Sequence, residues 1–303
     1  MDSNSPYAKQ VALLMRVLPI AALEKCFALK GGTAINLFVR DMPRLSVDID
    51  LAYLPVLERE ESLSEISASL GEIRKKILEL IPGSKVNSLV LRGADKIVKL
   101  VIRTSDAQVK IEVTPVLRGT VFPSQTRVVS KIVQEKFGFA ETTVVSFADL
   151  YGGKIVAALD RQHPRDLYDV RLLLANEGID RDLFQAFLVY LISHDRPMSE
   201  IISPKFKDIR QEFEQGFSGM AFELVSREDL EQTREELVEK IKNSFTENDK
   251  RLLLSIKRGE PQWDLLDLKD VDKLPAVRWK LQNLENLKPE KRAELLERLT
   301  NCF

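Results

Sequence analysis

The stretch KGGTAINLFVRDMPRLSVDIDLAYL, Lys30 to Leu54, sets a double glycine ahead of an Asp-x-Asp pair, and it says more about the chain's chemistry than the rest together. Residues Val47 to Tyr53 alternate apolar and acidic, which predicts a β-strand whose i and i+2 side chains share a face. Asp48 and Asp50 then converge on one spot. Carboxylates that close repel one another unless one is protonated or a cation lies between them, and a divalent metal beside a phosphate site resolves the conflict. Upstream, Gly31 and Gly32 stand between a predicted strand, Phe27 to Leu29, and a predicted helix, Ala34 to Arg40. Missing side chains there let backbone N–H groups approach a phosphate, and a helix N-terminus adds a favourable dipole. Thr33 is placed to cap that helix and offer its hydroxyl to the same phosphate. A Gly-Gly-Thr turn or an Asp-x-Asp is common in isolation; their strand, turn, helix, strand order is what proposes phosphates on the turn joined through metal to the carboxylates. The turn matches neither GxxxxGK[ST] nor GxGxxG, so neither a P-loop ATPase nor a Rossmann oxidoreductase is indicated.

The rest of the chain supplies a frame for that stretch. Residues 6 to 26 read as an amphipathic helix and Glu58 to Leu80 as a charged one. Three β-rich runs follow, Val86 to Leu91, Ile97 to Ile102 and Val109 to Val116, with turns at Pro82-Gly83, Gly93 and Ser105-Asp106. From Phe147 onward the pattern is helical, punctuated by Pro164, Gly178, Pro197, Pro204 and Gly219. The expected fold class is α+β. A lobe over 1–146 carries a mixed sheet flanked by helices, and a mostly helical lobe over 147–303 completes the active-site cleft. Arg227 to Lys242, REDLEQTREELVEKIK, reads as a helix with a solvated, charge-paired face, and Val277, Leu281 and Leu284 have the spacing of a packing stripe.

Of 303 residues, 44% are hydrophobic and 30% charged, enough for one large core or two modest ones. The two cysteines, Cys26 and Cys302, fit no disulfide or zinc spacing, which points to a reducing cytoplasm. Val11 to Leu23 is interrupted by Arg16 and too short to span a bilayer, and the start MDSNSPYAKQ lacks a signal-peptide layout; no membrane role is expected. The net charge of −1 hides a dipole: about −1 over 1–84, +5 over 85–171 and −5 over 172–303. A basic middle beside a carboxylate pair suits a phosphate-rich substrate.

Further candidates lie outside the opening stretch. Glu112 interrupts the β-run VKIEVTPV and is the best third carboxylate; three carboxylates would allow two Mg²⁺ ions to act on an in-line displacement. Ser46 shares the face of Asp48 and Asp50 if the strand begins there, with Arg44 preceding it. In YGGKIVAALDRQHPRDLYDVRLLL, Lys154 stands beside an apolar face of Tyr151, Ile155 and Leu159, where its ammonium could hold triphosphate oxygens as a point charge. His163-Pro164 ends one helix and starts the next. Asp166 and Asp169 then fall on one face, with Leu167, Val170 and Leu174 buried. Arg161 and Arg165 either contact phosphates or pair with these aspartates.

The three blocks KGGTAINLF, RLSVDIDL and YGGKIVAALDRQHPRDLYDVRLLL, spanning Lys30 to Leu174, resemble the AbiEii/AbiGii family of nucleotidyltransferase-like toxins. The resemblance implies a polymerase β-like core and a place in bacterial toxin–antitoxin and abortive phage-defence systems. It implies a nucleotide turn and metal carboxylates at Gly31, Gly32, Thr33, Ser46, Asp48 and Asp50, with Ser46 open to modification by phosphate transfer. It also implies a functional lysine at Lys154 and a functional aspartate at Asp166 or Asp169, without choosing between them. The expected activity is nucleotidyl transfer from an NTP, with Mg²⁺ or Mn²⁺, to an RNA such as the tRNA 3′ end, releasing pyrophosphate. Glu112, Asp166 or Asp169 would help deprotonate the attacking hydroxyl. A cognate antitoxin is the implied partner. The alternatives are a nucleotidyltransferase acting on a small molecule such as an antibiotic, and a non-catalytic protein that binds nucleotide or a partner through the same fold.

Overall fold

A computed structural model describes residues 6–303; residues 1–5, the start of the segment read against a signal-peptide layout, lie outside the described residues. The chain divides into two compact units, Met1–Ser146 and Phe147–Phe303.

The first unit opens with helix α1, Pro6–Ala21, whose Val11, Leu14, Val17 and Leu18 are buried. The helix expected to reach residue 26 stops short, because residues 22–26 form turns that reverse the chain into β1, Phe27–Lys30. The helix after β1 begins at the glycines rather than at Ala34: one α turn, Gly31–Ala34, continues as a π turn over Ile35–Val39 (together α2). Strand β2 is Asp48–Tyr53. It starts one residue later than predicted, which leaves Ser46 ahead of the strand rather than on it. Helix α3, Arg59–Leu80, and strands β3, Lys85–Val90, β4, Ile97–Arg103, and β5, Gln108–Arg118, occupy the expected places. Three elements have no counterpart in the sequence pattern: β6, Gln125–Val128, α4, Lys131–Phe137, and β7, Glu141–Val144. The two strands have four residues each, too few for alternation to stand out.

Among the described residues the sheet has seven strands in the order β3-β4-β5-β2-β1-β7-β6. It is mixed: β2 runs parallel to β5, and β1 parallel to β7, while the remaining pairs are antiparallel. Period-2 alternation gives the sheet two unlike faces. Leu29, Ile49, Leu51, Leu100, Ile102, Ile111 and Val113 are buried on one. The registers Lys30↔Asp50, Asp50↔Glu112 and Asp48↔Lys110 align polar residues on the other.

The second unit is helical, as expected. Helix α5, Phe147–Asp160, packs on α7, Arg181–Ser193, at Gly152, where a Cβ would lie 2.9 Å from the Phe187 backbone nitrogen. Pro164 opens α6, Pro164–Asn176, and His163 caps it by accepting from the Arg165 N–H at 3.1 Å. The short helices α8, Met198–Ile202, and α9, Arg210–Gly216, lead to α10, Arg227–Ser244. A Ser226/Asp229 capping box starts α10, Leu230, Leu237 and Ile241 form its buried stripe, and Arg227–Glu231 and Lys240–Glu236 pair along it. Helices α11, Glu247–Arg258, α12, Pro275–Glu285, and α13, Pro289–Thr300, close the unit; Val277 and Leu284 of the predicted stripe are buried, while Leu281 is half-buried. No helix among the described residues is long and apolar enough to cross a membrane.

Candidate active site

Asp48 and Asp50 stand at the start of β2, both partly exposed on the polar face of the sheet. The glycine turn is built against them. Gly31 has φ +74°, and a Cβ there would meet Asp50 Oδ2 at 2.5 Å; a Cβ on Gly32 would meet Ser46 Oγ at 2.8 Å and Arg44 Nη2 at 2.9 Å. Gly31 is required by its left-handed backbone conformation, and a Cβ at either glycine would push aside the side-chain ends of Asp50, Ser46 and Arg44 that pack against the turn. Thr33, buried, donates its hydroxyl to the Asp48 carbonyl and lies 3.1 Å from Ser46 Oγ. It ties the turn to the strand start rather than capping the helix, whose N-cap residue is Lys30 with no side-chain cap. Buried Asn36 donates to the Gly32 carbonyl at 2.8 Å and accepts from the Arg44 N–H at 3.3 Å, while Arg44 Nη1 donates to the Leu45 carbonyl at 2.9 Å. Gly31, Gly32, Thr33, Ser46, Asp48 and Asp50 are thus brought together, with Arg44 and Asn36 as the frame.

Glu112 sits directly beside Asp50 in register, so the third carboxylate is on the expected face. Its own partner is Lys99, 2.6 Å away, and among the described residues no group of three or more His, Cys, Asp or Glu is gathered to hold a metal. Lys30, which sequence reasoning did not single out, lies on this face too. Its ammonium donates to Thr114 Oγ1 at 3.0 Å, and burial pushes its pKa down against the opposing pull of Asp50 and Glu112. The sequence shows only a lysine closing the apolar strand FALK; the register that sets it across from Asp50 comes from the strand pairing.

In the helical unit Lys154, buried on α5, meets both candidate aspartates of α6, Asp166 Oδ1 at 2.8 Å and Asp169 Oδ2 at 3.0 Å. The choice between the two aspartates dissolves at the level of contact, since both hold the lysine. Arg161 donates to both oxygens of Asp166 through Nε and Nη2. Burial on its own raises the Asp166 pKa, but Lys154 and Arg161 outweigh it and hold the carboxyl far below the usual carboxylate range.

These blocks invite comparison with known proteins. A family model described as "Nucleotidyl transferase AbiEii toxin, Type IV TA system" matches residues 12–283, most of the chain. The chain belongs to the AbiEii family. Its fold is similar to that of MenT4, a nucleotidyltransferase toxin from Mycobacterium tuberculosis H37Rv, at TM-score 0.64 and 15% identity, over 94% of this chain and 95% of that one. At that identity the likeness speaks for the fold alone. No curated protein matches the chain. AbiEii membership makes it a nucleotidyltransferase toxin of a type IV toxin–antitoxin system, for which an NTP substrate and an antitoxin partner follow from the family.

Proposed function

We propose that this AbiEii toxin transfers a nucleotidyl group from an NTP to the 3′ hydroxyl of an RNA, with tRNA as the preferred acceptor, releasing pyrophosphate, in the cytoplasm and in the service of phage defence. The observation that carries the reading is the fit of Gly31 against Asp50, which couples a phosphate turn to a metal carboxylate. Asp48 and Asp50 would hold Mg²⁺ or Mn²⁺. The donor set suits such an ion, because magnesium is commonly held by one or two carboxylates plus the substrate's phosphates and not by an all-protein cage. Glu112, now paired with Lys99, would be the third carboxylate to hold such an ion. When bound, the metal neutralises charge developing on the phosphoryl oxygens.

The protein's own groups then divide the work. The backbone of Gly31 and Gly32, with Thr33 and Ser46, orients the triphosphate, and Lys154 is the candidate functional cation of the helical unit. The acceptor oxygen forms its bond to the α-phosphorus as the α–β bridging bond breaks, with the electron pair leaving on pyrophosphate. Asp166, with both oxygens engaged, is a poor proton acceptor, so the hydroxyl proton is assigned to Glu112. Asp166 and Asp169 act on Lys154 instead.

The test is incubation with Mg²⁺, each labelled NTP and total cellular RNA, alongside Asp48→Ala. Label in tRNA from the wild type only is expected. Label on a small molecule and never on RNA would favour the antibiotic-type alternative. Growth arrest retained by Asp48→Ala without any transfer would establish the non-catalytic one.

A further inference from the structure

The polar face of the sheet does not end at the carboxylates. Cross-strand partners point to the same side, so the registers can be followed outward from β2. Asp48 is beside Lys110 and Asp50 beside Glu112 on β5; Glu112 is opposite Lys99 and Gln108 opposite Arg103 on β4; Lys99 is opposite Leu89 and Arg103 opposite Lys85 on β3. A surface therefore leads from the two aspartates to the outer strand of the sheet along the Glu112–Lys99 and Gln108–Arg103 rows, while the row between them passes from Lys110 over the nearly buried Val101 to Asn87. At ~4.8 Å per strand its reach is about 14 Å. Lys110, Lys99, Arg103 and Lys85 lie along it, against the single carboxylate of Glu112. Lys85, Arg103 and Leu89 are exposed, and the Lys99–Glu112 pair is open to solvent and therefore weak enough for a phosphate to displace.

We propose that this basic face of β5, β4 and β3 is the track along which the 3′-terminal single strand of the acceptor RNA lies, delivering its end hydroxyl to Asp48 and Asp50. The inference rests on the RNA-acceptor reading above. Charge complementarity selects the occupant: spaced cations beside a phosphoryl-transfer centre match the regular charge of a nucleic acid backbone. Strands β3, β4 and β5 carry no aromatic residue on which a base could stack, so the track reads backbone and not sequence. Leu89 offers one apolar contact at its outer end.

The test uses the full chain carrying Lys85→Glu and Arg103→Glu, two exposed positions outside the nucleotide site. Two measurements are made: labelled-NTP transfer to RNA, and anisotropy of a fluorescent single-stranded RNA with a free 3′ end, each over a range of salt. The expected result is a roughly tenfold or greater rise in KM for RNA with KM for NTP unchanged, and a salt slope shallower by about 0.7 for each phosphate no longer neutralised. Unchanged RNA affinity and slope in the double variant would overturn the proposal. So would poly-glutamate competing with RNA at equal charge concentration, which would mark the face as a site for acidic protein. If the wild type binds the RNA through these residues but transfers nothing, the track stands and the proposed function falls; if it neither binds nor transfers, both fall. Should the double variant melt early, Lys85→Ala with Arg103→Ala carries the same comparison.

Discussion

At the scale of single residues, the site depends on an atom that is missing. Replacing Gly31 by alanine would place a methyl 2.5 Å from Asp50 Oδ2 and force a left-handed φ of +74° on a residue with a side chain. Backbone strain alone costs about 1–3 kcal/mol. With Asp50 in its proposed role, displacing its carboxylate by an ångström would cost on the order of 100-fold in rate. Gly83 separates the two effects, because it has φ +77° and nothing within 4 Å of where a methyl would stand. Gly83→Ala is expected to lower the melting temperature and leave transfer intact, whereas Gly31→Ala loses both stability and about 100-fold in single-turnover transfer, with weakened Mn²⁺ binding. Equal activities in the two variants would remove the catalytic meaning of the Gly31–Asp50 contact. Much of this was legible in the sequence, because the order of glycines and aspartates is local information. The contact of Gly32 with Ser46 and Arg44 was not, since a residue's neighbours across a loop follow from how the strands close, and neither was the hydrogen bond of Lys30 to Thr114 under the charges of Asp50 and Glu112.

At the scale of elements, α5 and α6 are joined by charge as well as by packing. Period 3.6 places Asp166 and Asp169 on one face and His163-Pro164 at a helix start, and both hold, but the aspartates are as buried as Leu167 and Val170, and Leu174, expected on the buried side, is only half-buried, with Leu173 taking its place. What periodicity could not supply is the crossing of two helices that sets Lys154 between the aspartates, nor that Arg161 reaches across to Asp166. Removing one partner of a buried pair leaves an uncompensated charge, at a cost of about 3 kcal/mol or more. Asp166→Asn is thus expected to lower stability by that order at pH 7. Asp166 has a folded pKa depressed below its unfolded value of ~3.9, so its contribution is complete above that value and disappears as pH falls through the lower folded pKa. Urea unfolding of wild type and variant should therefore differ most near neutrality and converge only in strong acid. A gap that persists undiminished in strong acid would mean that lost packing, and not the ion pair, is responsible. Short polar strands such as β6 and β7 are the complementary failure: Gln125–Val128 and Glu141–Val144 become strands through pairing with each other, and β7 also with β1, which no local signal encodes.

At the scale of the whole molecule, two separately cored units must each stabilise the polar groups they bury. Lys257, at the end of α11 and 2% exposed, is a costly one in the helical unit. Burial, reinforced by the neighbouring Lys280, lowers its pKa to about 8. Lys280 itself is answered by the carbonyls of His194, Asp195 and Arg196 at 2.5, 3.1 and 3.2 Å. The unfolded lysine titrates near ~10.4. Between about pH 8 and pH 10.4 the unfolded chain holds more protons on this residue than the folded chain, so this group makes stability rise with pH across that window. Below pH 8 both states are charged and burying the ammonium costs about 3 kcal/mol, a sizeable share of a typical domain's roughly 5–15 kcal/mol. Lys257→Met keeps an unbranched chain of similar volume and removes the charge. It should raise the urea midpoint at pH 7 and bring the two proteins together as pH approaches 10, because wild-type Lys257 has by then lost its proton in the fold. A variant less stable at pH 7, or a difference independent of pH from 7 to 10, would show that the buried ammonium is satisfied in place and costs the helical unit nothing.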